Sequence, residues 1–226
     1  GGGNSSNVAS DLQSGVSQIF STSSAFAALK DDGSVITWGN SDLGGDSSGV
    51  ALQLKSDISQ IFSTYKAFAA LKDDGSVITW GNSDQGGDSS SVTLKLQSGV
   101  SQIFSSVGAF AALKDDGSVV TWGIPRYGGE SGSASSQLSS GVNQVFTADS
   151  AFAALKEDGS VITWGDSYYG GDSSNVSSQL ISGVSRIVST GGAFAALKDD
   201  GSVITWGDSD GGGNSSNVAS DLQSGV

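Results

Sequence analysis

Residues 25–39 read Ala-Phe-Ala-Ala-Leu-Lys-Asp-Asp-Gly-Ser-Val-Ile-Thr-Trp-Gly. The first six positions are nearly all apolar. Their length fits a buried strand, although Ala and Leu alone also allow a turn of helix. The Asp-Asp-Gly-Ser that follows decides between them. Asp-Gly between two apolar runs is a hairpin signal, because Gly supplies the positive φ that a tight turn needs. Val35-Ile-Thr-Trp38 is β-branched and aromatic, which suits the partner strand. Upstream, Ser17-Gln-Ile-Phe-Ser-Thr22 carries a modest strand signal of its own.

The same stretch returns along the whole chain. Trp falls at 38, 80, 122, 164 and 206, a spacing of 42 each time. The units start at Val16, Ile58, Val100, Val142 and Val184 and align without gaps. After each Trp comes a polar loop with a double glycine, then a weaker pattern such as Val50–Leu54 or Val92–Leu96. That pattern is expected to form a short fourth strand at the outer edge, with Ser-rich versions such as 134–138 left as loop. Each unit is thus a small antiparallel sheet of three to four strands. Such a sheet cannot bury its faces alone, so neighbours must stack. Five units of this size predict an all-β chain: a β-propeller of five 42-residue blades, forming a single repeat domain over 1–226. Phe26, Leu29, Ile36 and Trp38 would fill the layers between blades, each worth about 1.5–3 kcal/mol when buried. Ala27 and Ala28 would let blades approach closely.

Composition removes whole classes of chemistry. His, Cys and Met are absent, and Pro occurs once. Without Cys there are no disulfides, thiolate nucleophiles or thiolate metal sites. Without His, a Ser-His-Asp triad and a His-ligated zinc site are excluded. The acidic loops place oxygens at alternate positions, as in Asn40-Ser-Asp42 and Asp208-Ser-Asp210. They lack the bidentate Glu that ends a calcium loop, so they are read as solvated turns. Nothing sets a raised-pKa acid beside a base. The expectation is no enzyme, no cofactor and no metal. Ten basic residues against 23 acidic ones give a net charge of −13, which argues against a nucleic-acid footprint. No apolar run reaches the roughly 18 residues of a membrane span, so no membrane insertion is expected.

The string Ala-Leu-Lys-Asp-Asp-Gly-Ser-Val-Ile-Thr-Trp-Gly resembles the regulator-of-chromosome-condensation repeat. The matching positions are Ala28-Leu29, Asp32-Gly33, Val35, Trp38-Gly39 and Gly44, and all five units carry them. The resemblance implies a β-propeller. The chain departs from the family in lacking its His before the inner strand, and in replacing Gln-Leu-Gly after the second glycine by Asp-Ser-Ser or similar. The short units resemble those of bacterial relatives, whereas the eukaryotic nucleotide-exchange protein of the family has seven blades.

Variation among the units marks candidate function. Three windows change freely while the framework holds: the pair before the inner apolar strand, the four residues after Trp-Gly, and the Ser-rich outer segment. Loops on a rigid scaffold are where recognition usually sits. The candidate binding residues are Tyr65, Lys66, Arg126, Tyr127, Asp149, Tyr168 and Tyr169, since Tyr and Arg are common interface anchors. A protein or glycan surface is the expected partner, and an extracellular or cell-surface location is favoured. Finally, residues 1–16 and 211–226 both read GGGNSSNVASDLQSGV. A closed ring of five blades has one slot for this segment and the chain carries two. One copy is expected to complete the closing blade while the other is displaced or pairs with a second molecule. Self-association through the duplicated termini is therefore a second expectation.

Overall fold

In the computed structural model, residues 3–223 are described. They form fifteen strands in five three-stranded antiparallel sheets, each in sequence order. Blade 1 holds β1 (Val16–Ser21), β2 (Ala25–Lys30) and β3 (Val35–Gly39). Blade 2 holds β4 (Ile58–Ser63), β5 (Ala67–Lys72) and β6 (Val77–Gly81). Blade 3 holds β7 (Val100–Ser105), β8 (Ala109–Lys114) and β9 (Val119–Gly123). Blade 4 holds β10 (Val142–Thr147), β11 (Ala151–Lys156) and β12 (Val161–Gly165). Blade 5 holds β13 (Val184–Ser189), β14 (Ala193–Lys198) and β15 (Val203–Gly207). The Asp-Gly hairpin forms as expected: the Asp32 carboxylate accepts from the Ser34 backbone N–H and hydroxyl, closing the turn between β2 and β3.

Each blade has two different apolar faces. The leading face, toward the preceding blade, carries Phe and Trp; they oppose each other across β2 and β3 and stack at 5.2 Å in blade 1. The trailing face carries the two alternate alanines, Leu and Val. A register shift between Val16 and Gln18 matters here. Under strict alternation, residues three apart would face opposite ways. The bulge lets the equivalents of Val16 and Ile19 share the leading face. In the first seam, Ala25, Ala27, Leu29 and Val35 of blade 1 pack against Ile58, Ile61, Phe68, Ala70 and Trp80 of blade 2. The next three seams repeat that set.

The expected fourth strand is not there. The outer segments are short 3-10 turns, including Ser48–Val50, Gln53–Lys55 and Ser90–Lys95. The cause is local. Asp46, Asp88 and Asp172 each accept the backbone N–H two residues on, at 2.8–2.9 Å. Such side-chain bonds compete with a strand ladder. The segments still close the seams, because Leu54, Leu96, Leu138 and Leu180 are buried between blades.

Four seams join five blades, and a fifth between blades 5 and 1 is not formed among the described residues. Inter-blade backbone bonds run Ser23 N to Tyr65 O, Tyr65 N to Val107 O, Val107 N to Asp149 O and Asp149 N to Gly191 O. Ile19 on the leading face of blade 1 is 61% exposed, whereas its counterpart Ile61 is 3% exposed. Neither duplicated end segment closes the ring. Residues 3–15 lie against blade 1, and residues 211–223 lie against blade 5. Residues 1–2 and 224–226 of these segments lie outside the described residues.

Candidate functional site

The topology gathers two of the three variable windows on one face. The β1–β2 type turns and the loops after Trp-Gly both leave the sheets at the same end. A backbone bond ties them in every blade: Asn40 N to Ser24 O, Asn82 N to Lys66 O, Ile124 N to Gly108 O, Asp166 N to Ser150 O and Asp208 N to Gly192 O. This end is called the top face. The Asp-Gly hairpins all lie at the opposite end.

A hydroxyl shapes most of the top turns. Thr64 Oγ1 accepts the Ala67 N–H and donates to the Gln85 carbonyl, both at 3.0 Å. Thr22, Ser106 and Thr190 make the same pair of bonds. Blade 4 has Ala148 at this position and no such link. The turns of blades 2–5 surround a shallow depression of about 510 Å³ on the axis. Its polar lining is largely Ser and Thr, with Tyr65 and Asp149 added at the rim. Both are exposed.

The remaining candidates lie farther out on the same face and do different things. Tyr127 and Tyr169 are half-buried and pack into the seams after blades 3 and 4. Tyr127 also fills the space over Gly108, where a Cβ would lie 2.7 Å from its ring. These two are seam residues that reach the surface at one edge. Lys66 is half-buried beside Asn82. Arg126 and Tyr168 are exposed, and each reaches the loop of the next blade. Arg126 Nε donates to Asp166 Oδ2 across the third seam. Tyr168 stands beside Asp208, whose carboxylate raises the phenol's pKa above its ordinary 10.0. Tyr168 also meets Tyr169 edge-on at 5.4 Å. It therefore stays a protonated donor through the neutral range.

Asp166 lies in the variable window after Trp164-Gly165 but is not among the candidate binding residues. It is a buried carboxylate, 6% exposed. One oxygen caps the following turn by accepting from Tyr168 N, and the other takes Arg126. The available signal was its position: Asn40 and Asn82 cap the equivalent turns in blades 1 and 2. Hydrogen-bonding and aromatic groups thus cluster over blades 2–5, with no group of three His, Cys, Asp or Glu side chains converging among the described residues.

Solved structures share this architecture. Prp20p from Saccharomyces cerevisiae, described with its binding properties to Gsp1p and histones, matches at 15% identity and TM-score 0.52. The match covers 85% of this chain and 57% of that one. Human WBSCR16 matches at 20% identity and TM-score 0.52, covering 92% of this chain and 65% of that one. Yeast RCC1 (Prp20) in complex with Kap60 gives 16% identity and TM-score 0.51, over 85% of this chain and 56% of that one. The chain has an RCC1-like β-propeller fold. At these identities the likeness is one of fold, and this RCC1-like array spans between 56% and 65% of the length of those three structures. No protein-family model and no curated protein sequence matches it.

Proposed function

We propose that this RCC1-like chain is a non-enzymatic scaffold that binds a protein or glycan surface with its top face. One observation carries the proposal: the two ends of the blades vary differently. The hairpin turns at the bottom read Asp-Asp-Gly-Ser in four units and Glu-Asp-Gly-Ser in the fourth, whereas both top-face windows differ from unit to unit. A rigid framework with one changing face suits recognition. Tyr65 and Asp149 at the axial depression, with Arg126 and Tyr168 beyond it, are the residues assigned to contact. Tyr127 and Tyr169 support them from the seams, and Lys66 stands next to Tyr65. Exposed phenols beside carboxylates offer stacking and hydrogen bonds together, which suits sugar rings or polar peptide. The acidic, Cys-free, Ser- and Gly-rich composition fits a bacterial secreted or surface repeat protein.

The test is a glycan array together with a panel of surface proteins, probed with the native chain and the variant Tyr65→Ala/Asp149→Ala/Tyr168→Ala. A bottom-face control carries Asp31→Ala and Asp73→Ala. Binding lost in the first variant and kept in the control supports the proposal. No binding by the native chain, or binding indifferent to the top-face changes, overturns it.

A second reading, assembly through the chain's ends, is favoured by a separate observation. The leading face of blade 1 and the trailing face of blade 5 are both open, with Ile19 61% and Val188 49% exposed. Light scattering across a concentration series tests it, and a strict monomer refutes it.

A further inference from the structure

We infer that a second copy of this chain docks head to tail, blade 5 of one copy on blade 1 of the next, with one of the two identical end segments serving both blades and the other released. This rests on the assembly reading and adds its geometry. The chain itself shows what covers such faces. In all four seams a trailing face of two alanines, Leu and Val meets a leading face of Val or Ile, Ile or Val, Phe, Ala and Trp. The open trailing face of blade 5 offers Val188, Ala195, Leu197 and Val203 around a mainly apolar depression of about 310 Å³, which Arg186 also lines. The open leading face of blade 1 offers Val16, Ile19, Phe26 and Trp38. Apart from Arg186 and Val188, which replace the Gln and Phe of the other units, these are the two halves of the seam that recurs inside the chain. Because the halves differ, the contact is heterologous and runs from one copy to the next.

The end segments point the same way. Inside the array one linker serves two blades. In the linker between blades 4 and 5, the Leu180 carbonyl accepts from Val161 N of blade 4, and the Gln179 carbonyl accepts from Lys198 Nζ of blade 5. At the ends this task is divided. Residues 211–223 do the first half, with the Leu222 carbonyl accepting from Val203 N. Residues 3–15 do the second half, with the Asp11 carbonyl accepting from Lys30 Nζ and the Gly15 carbonyl from Asp31 N. A junction between copies has room for one linker and is supplied with two of identical sequence. Either can fill it, so neither is required alone.

The experiment pairs Ile19→Asp with Val188→Asp, followed by sedimentation and light scattering. Both side chains are exposed in the single chain, so the substitutions leave the fold intact. Each variant alone is expected to be monomeric. Mixed, they should form a 1:1 dimer only, because one retains an intact trailing face and the other an intact leading face. Deleting 1–15 or 211–226 singly should leave association of the native faces as tight or tighter. Deleting both should weaken it by about tenfold or more. A native chain that stays monomeric overturns the inference and the assembly reading together. Oligomers that ignore both aspartates overturn the inference while assembly stands. A double deletion that associates as well as either single one overturns the shared linker.

Discussion

Gly86 offers the sharpest probe of how blades stack. It lies at φ +97° in the loop after Trp80 and is buried in the second seam. Its carbonyl accepts the Trp122 indole N–H at 3.1 Å. A Cβ placed there would lie 2.6 Å from Phe110 Cδ2 and 2.8 Å from Cε2. Phe110 is fully buried and stacked on Trp122 at 5.2 Å, so its ring cannot retreat. Gly86→Ala therefore combines a left-handed backbone cost of about 1–2 kcal/mol with an overpacking cost of about 1–3 kcal/mol. The expected loss is about 2–5 kcal/mol. Gly212 is the internal control. It has the same backbone, φ +103°, and nothing within 4 Å of the added Cβ, because no blade packs on it. Gly212→Ala should cost only the backbone part, about 1–2 kcal/mol. Urea unfolding followed by Trp fluorescence measures both, with midpoints compared at matched slopes. Phe110→Leu in the Gly86→Ala background should recover part of the packing loss and none of the backbone loss. Equal losses at Gly86 and Gly212 would refute the seam geometry.

Three other outcomes are expected. Ala148→Thr should stabilise the chain by about 0.5–1.5 kcal/mol, since the hydroxyl would supply blade 4 with the turn bonds that Thr64 makes in blade 2; a lower melting temperature would contradict this. Asp166→Ala should cost about 0.5–2 kcal/mol by removing a turn cap, whereas Asp166→Asn should keep the cap, because Asn40 and Asn82 occupy the same position; thermal melts separate the two. The carboxylates of Asp32, Asp74, Asp116, Asp158 and Asp200 are held below their ordinary pKa of 3.8 by the serine hydroxyl and backbone N–H they accept. A lowered folded-state pKa contributes stability that is present above the unfolded value and lost as pH falls through the folded one. Melting temperature should therefore hold from neutral pH down to about 4 and fall below it, and a rise between pH 4 and pH 2 would contradict the turn geometry.

The blade was legible because its signals are local. Asp-Gly at residues 32–33 and the aromatic strand ending at Trp38 sit within a few positions of each other, and the 42-residue spacing multiplied them. The outer segment was misread because Val50 and Leu54 suggested a strand, while the Asp46 carboxylate that bends the chain into a 3-10 turn left no apolar trace. The bulge after Val16 was invisible for a similar reason: it changes which face a residue joins without changing composition. The top face was partly legible. Variation picked out its windows, yet residues in one window proved to differ in role. Tyr127 fills a seam and Arg126 beside it crosses to Asp166, a pairing 40 residues apart that only the stacking of blades creates. The open ends were only faintly legible: blade 1 carries the same leading-face residues as the buried blades, and the one trace at blade 5 is Arg186 and Val188, where the other units have Gln and Phe.

The central claim is that one seam geometry repeats four times and leaves its two halves exposed at the ends. The chain contains no cysteine, so single thiols report on it directly. Ile19→Cys and Ile61→Cys place the same substitution at equivalent positions, one open and one buried in the first seam. Under native conditions and at dilutions where the chain is monomeric, thiol labelling should be fast at position 19 and strongly protected at position 61. Comparable protection at both sites would mean that blades 5 and 1 are packed together, and would contradict the account.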